Sequence, residues 1–168
     1  MTIEWSNLSS GLLGALIGFA GSIALYLSDR RARRKGAGRA VLAEMMANAR
    51  WALNLKGQGL SDGFGAQAWT TQMPLIAEFV RWQDLEKLVR AYDSAWRLSK
   101  QTAGLEIGPR LDPRWNGPAL GLAREFRQGV ECLRSRVLRL CDRAAFAELL
   151  AEFDAKLKQA LEREGMPR

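Results

Sequence analysis

Residues 8–35 read LSSGLLGALIGFAGSIALYLSDRRARRK, and the reading of this stretch decides how the rest of the chain is built. No charged side chain lies between Glu4 and Asp29. A helix over 8–27 would be about 30 Å long, the thickness of a bilayer's hydrocarbon core. A buried helix of that length in a small domain keeps one polar face, and this block has none. A cleavable signal peptide carries positive charge ahead of its apolar part, whereas here only Glu4 precedes it and the basic run comes after. The expectation is a transmembrane helix over 8–27 after a short external tail, 1–7.

The charges set a direction. Arg30, Arg31, Arg33, Arg34, Lys35 and Arg39 crowd one end of the block, and no Lys or Arg lies at the other. Basic flanks stay on the cytoplasmic side, so the expected topology is single-pass, N-terminus outside, with 28–38 as a juxtamembrane segment beside anionic lipid headgroups. Trp5 and Tyr26 fall near the two expected interfaces, where amphipathic rings prefer to sit. Gly14, Gly18 and Ser22 recur every four residues with Gly11 and Gly21 beside them. Small residues so spaced form a face on which a second membrane helix, from a partner or another copy, can pack closely.

The net charge of +7 is unevenly spread. Six basic and one acidic side chain lie in 29–39, while 19 basic and 16 acidic ones from residue 40 onward leave only +3. Nucleic-acid binding requires a basic stripe on a folded face, and this near-balanced region offers little of one. About 130 residues beyond the block suffice for one domain with a core. Cys132 and Cys141, nine positions apart on one predicted helix, stand about 13 Å apart along its axis, too far for a disulfide.

Helical periodicity dominates from residue 39 to 164. Leu42, Met45, Ala49, Ala52 and Leu53 form one stripe, with Gly36 and Gly38 either bending the junction to the first helix or tolerated within it. The glycine-rich 57–65 is a loop. A helix over about 66–80 is interrupted or restarted at Pro74. In RWQDLEKLVRAYDSAWRLSK, Trp82, Leu85, Val89, Tyr92, Trp96 and Ser99 step by three or four, which predicts a helix with those aromatics in the core. A second loop, 104–118, holds three of the five prolines, with Asn116 as the expected N-cap of the next helix. That long C-terminal helix, 119–164, carries a stripe from Leu122 through Phe126, Val130, Leu133 and Val137 to Leu161, either continuous or broken at Asp142. The residues 165–168 form a tail. The expected fold is all-α, an antiparallel helical bundle behind one anchor helix.

Catalytic chemistry is thinly represented. With no histidine, the chain lacks the commonest general base and transition-metal ligand. Two cysteines do not make a four-ligand zinc site, and no glycine-rich loop joins a strand to a helix to cradle phosphate. The i,i+4 pairs Glu44 with Asn48 and Glu148 with Glu152 are expected on solvated faces. No catalytic, cofactor-binding or metal site is predicted, and no small-molecule substrate. Trp82 and Trp96 are assigned to the core. Trp115, between Arg114 and the proline-rich loop bearing Arg110, is the expected partner contact, since Trp and Arg dominate interface hot spots.

The layout of a short tail, one glycine-rich span, a basic run and then AEMMANARWAL with Glu44 and Asn48 resembles small bacterial single-span membrane-anchored proteins with a cytoplasmic helical bundle. The resemblance implies the bacterial cytoplasmic (inner) membrane and no particular activity. The expected function is a non-enzymatic protein-interaction module, homo-oligomeric or an accessory subunit of a larger membrane complex. The alternative is a membrane-active effector of the toxin or lysis type.

Overall fold

A computed structural model describes the backbone of residues 5–58, 64–102, 113–138 and 140–165, and the side chains of 13–54, 64–101, 114–138 and 142–165. Among the described residues the chain is all-α. The elements are α1 (Trp5–Gln58), α2 (Gln67–Ala77), α3 (Trp82–Thr102), α4 (Asn116–Val137) and α5 (Leu140–Arg163), with a short 3₁₀ turn at Pro113–Trp115. The chain divides into two compact units, Met1–Arg34 and Lys35–Arg168.

In the first unit every described side chain from Leu13 to Arg31 is exposed. Among the described residues no helix is long and apolar enough to cross a membrane. Residues 8–12 of the expected span lie outside those with described side chains. α1 runs through Gly36 and Gly38 without a break.

The second unit is the bundle. Its core gathers Val41, Leu42, Met45, Met46 and Ala49 from α1, Leu88, Ala91 and Ala95 from α3, Phe126, Val130 and Leu133 from α4, and Leu150 and Phe153 from α5. Side-chain partners fix the directions. Leu88 lies against Gly129, Tyr92 makes an edge contact with Phe126 and Arg136 bonds Asp84 at 3.0 Å, so α3 and α4 are antiparallel. Gly38 against Val137 and Gly129 against Met45 make α1 antiparallel to α4 as well. Asn116 with Glu164 and Arg127 with Asp154 do the same for α4 and α5. A Cβ on Gly129 would meet Met45 and Leu88, and one on Gly38 would meet Val137 and Phe79. Glycine at these two positions lets α1 and α4 cross closely.

Of the two alternatives for the C-terminal helix the broken one holds, a few residues before Asp142: Leu138 turns to extended backbone (ψ 139°) and α5 starts at Leu140. Two expectations are corrected. Asn116 is the first residue of α4, not its cap. Its Nδ2 donates to Glu164 at 3.3 Å, while Trp115 holds the cap position without a side-chain bond. Trp82 and Trp96 are not core residues, being 76% and 56% exposed. The aromatics mark one edge of the apolar arc of α3, and its buried centre is the smaller Leu88, Ala91 and Ala95, each fully buried. A stripe drawn through the largest side chains is therefore rotated from the buried centre by nearly one residue step of about 100° about the helix axis.

Pro74 sits inside α2, so that helix neither stops nor restarts there. Cys132 is half-buried, and burial, with Asp84 nearby, pushes its thiol above the ordinary range. The side chain of Cys141 lies outside the described residues.

Candidate functional site

The densest polar construction in the bundle centres on Glu44. Its Oε2 accepts from Ala68 N–H at 2.7 Å, and its Oε1 accepts from Trp69 N–H at 3.0 Å and from the Tyr92 hydroxyl at 2.8 Å. One turn on, Asn48 Nδ2 donates to Gly65 O at 2.7 Å while its Oδ1 accepts from Gly65 N–H at 3.1 Å. The expectation of a solvated i,i+4 pair fails here: Asn48 is buried and Glu44 half-buried. The residue before α2 is Ala66, which has no side-chain cap bond. The orphan N–H groups of α2 are instead met by a carboxylate from α1, which also complements the positive end of the α2 dipole. The legible signal was the absence of Ser, Thr, Asp or Asn just before α2.

Rings close over this hub. Tyr92 stacks on Trp69 with centroids 4.7 Å apart, and Phe64 lies within 6.0 Å of Tyr92 and 6.4 Å of Trp51. Burial, then the Glu44 hydrogen bond, drives the Tyr92 phenol far above its ordinary range, so it stays a donor. Three donors occupy three of the roughly four acceptor positions of the Glu44 carboxylate, which locks α1, α2 and α3 together.

The predicted contact site is only partly described. Arg110 lies outside the described residues. Arg114 sits over the Trp115 ring at 5.5 Å, a cation–π arrangement. Trp115 is half-buried and packs on the core, with its Nε1 buried and without a hydrogen-bond partner among the described residues. It belongs chiefly to the bundle. Glu148 and Glu152 are exposed, as expected, and Glu152 pairs with Lys156 at 2.6 Å.

The predicted lipid and packing residues lie on α1. Arg33 pairs with Asp29 at 2.9 Å, and Arg39 reaches Asp142 on α5 at 3.3 Å. Arg30, Arg31 and Lys35 are exposed, and Arg34 is half-exposed. Gly14, Gly18 and Gly21 have open space where a Cβ would project. Ser22 returns its hydroxyl to Gly18 O at 2.9 Å. The surroundings of Gly11 lie outside the described residues.

Sequence periodicity misses the outer face of α3. Trp82, Val89 and Trp96 succeed one another at seven-residue intervals and are 76%, 42% and 56% exposed. Two exposed indoles on one helix face are unusual for a surface with no binding role.

Among the described residues no group of three or more Cys, Asp or Glu could hold a metal ion. A cleft of about 310 Å³ is lined by Arg50, Leu53, Asn54, Leu149, Glu152, Phe153 and Lys156. Its charged residues are Arg50 and the Glu152–Lys156 pair. No family model, curated protein or solved structure matches the chain.

Proposed function

We propose that the chain is a membrane-anchored, non-enzymatic interaction module. A helix over 8–27 would hold it in the bilayer, and the bundle would carry the protein contacts. The observation that supports this best is the first half of α1. Leu13, Leu16, Ile17, Phe19, Ile23, Leu25, Tyr26 and Leu27 are all exposed, by 43% to 74%. Side chains pointing all round a helix cannot be buried by one neighbouring face. In water each would forgo about 1.5–3 kcal/mol of burial, whereas acyl chains surround a helix on every side. The basic run at one end alone directs the bundle to the cytoplasmic side.

The partners on this reading are anionic lipid headgroups at the basic run, and proteins, including further copies of the chain, at the bundle and at the glycine face of the anchor. Tethering raises the effective concentration of each bundle near the others. Localisation would be the cytoplasmic membrane.

Alkaline carbonate washing of membranes tests the anchor. The chain stays in the pellet if 8–27 spans the bilayer, and its release to the supernatant would refute the span. Protease added outside sealed cells should leave residues 40–168 intact, and digestion there without lysis would refute the orientation.

A further inference from the structure

We propose that the outer face of α3 pairs, antiparallel, with the same face of a second copy. Alongside the Trp82, Val89 and Trp96 row runs a row of charges, Glu86, Arg90, Asp93 and Arg97, spaced four, three and four residues apart. These positions trace one line along a helix. All four are exposed, and within one copy they pair as Arg90 with Glu86 at 3.2 Å and Arg97 with Asp93 at 2.8 Å.

The row reads acidic, basic, acidic, basic, and it is its own complement when reversed. A two-fold axis between Ala91 and Tyr92 sets Glu86 opposite Arg97 of the second copy and Arg90 opposite its Asp93. A two-fold axis that joins the charged edges joins the apolar edges too, because an isologous interface brings like surfaces together. In that register Val89 of the second copy falls within about 3 Å, along the axis, of Trp96, by the helical rise of 1.5 Å per residue. Its Lys100 falls beside Trp82, and Lys100 already stands 5.6 Å over the ring of its own Trp96. One register thus satisfies both rows.

The same face suits a bilayer surface less well, since Glu86 and Asp93 lie between the indoles and would meet anionic headgroups. A single helix seam is smaller than the roughly 800 Å² per partner of a standard interface. Pairing is therefore weak in bulk, and its strength in the cell rests on the membrane tethering proposed above; its geometry does not.

The test uses the full chain in mild detergent, with Cys132→Ser and Cys141→Ser as background. Val89→Cys, near the axis, should give a covalent dimer with a short bismaleimide, and Lys87→Cys, on the other exposed side of α3, should not. Adding Glu86→Arg and Asp93→Arg should cut the Val89→Cys dimer at least fivefold. Further adding Arg90→Glu and Arg97→Glu recreates the complementary row and should restore it, with helix content by circular dichroism unchanged throughout. Equal crosslinking at 87 and 89, a dimer indifferent to the double reversal, or no restoration by the full swap would each overturn the pairing. So would quenching by brominated lipids in proteoliposomes that vanishes in Trp82→Phe, Trp96→Phe, which would place the face on the bilayer. Release by carbonate would sink the anchor alone, because the crosslink is read in detergent solution.

Discussion

The two halves of α1 share one secondary structure and have opposite surfaces. Over 13–31 every side chain is exposed, and Gly14, Gly18 and Gly21 have nothing within 4 Å of where a Cβ would stand. Over 37–52 the helix buries Val41, Met45 and Ala49 completely, and Gly38 is in close contact with Val137 and Phe79. Both stretches are helical, so secondary structure does not set this difference. Burial does: the second half has a face on which apolar residues recur every three or four positions, and the first has them on all sides. Glycine has a different meaning in each, a tolerated gap in one and a required close approach in the other.

The largest effect expected to separate the two regions comes from the core aromatics. Phe126→Ala removes a fully buried ring and should cost the bundle about 3–5 kcal/mol. Phe19→Ala, at 67% exposure, should leave its stability within about 0.5 kcal/mol. Urea unfolding in detergent, monitored by circular dichroism of the cooperative transition, reads both. Comparable losses would erase the distinction between the halves.

A second contrast uses glycine alone. Gly38→Leu drives a side chain into Val137 and Phe79 and should destabilise by about 1–3 kcal/mol or more. Gly18→Leu should leave the unfolding midpoint where it was. Any loss of association in Gly18→Leu would then report helix packing within the membrane. If Gly38→Leu is as stable as the parent, α1 and α4 are not in close contact in solution.

The smallest contrast concerns the tryptophans. Trp115→Ala, at a half-buried ring, should cost about 2 kcal/mol, below the value for a fully buried aromatic. Trp82→Ala should shift stability by no more than about 0.5 kcal/mol while reducing the α3 crosslink. Thermal unfolding of the pair decides the order. If Trp82→Ala is the more damaging, the helical stripe through the aromatics is the true core after all.

These tryptophans also show where sequence reasoning stops. The α3 stripe has the right period but is centred on its heaviest residues, because transfer free energy grows with side-chain size. Which side of a wide apolar arc is buried depends on what packs there. Here the buried side carries Leu88, Ala91 and Ala95, each fully buried. The heavier indoles are left outside.

The sequence by itself determined the all-α class, the helical segments and the uncharged block before the basic run, since local periodicity and turn chemistry carry that information. Only the tertiary structure decided the burial of Glu44 and Asn48, because the N–H groups they satisfy lie 17 to 25 residues away in the chain. It also decided that Trp115 faces the core while Trp82 faces outward. Hydrogen bonds and packing across such separations leave no periodic trace along one helix, so they become visible only once the helices are set side by side.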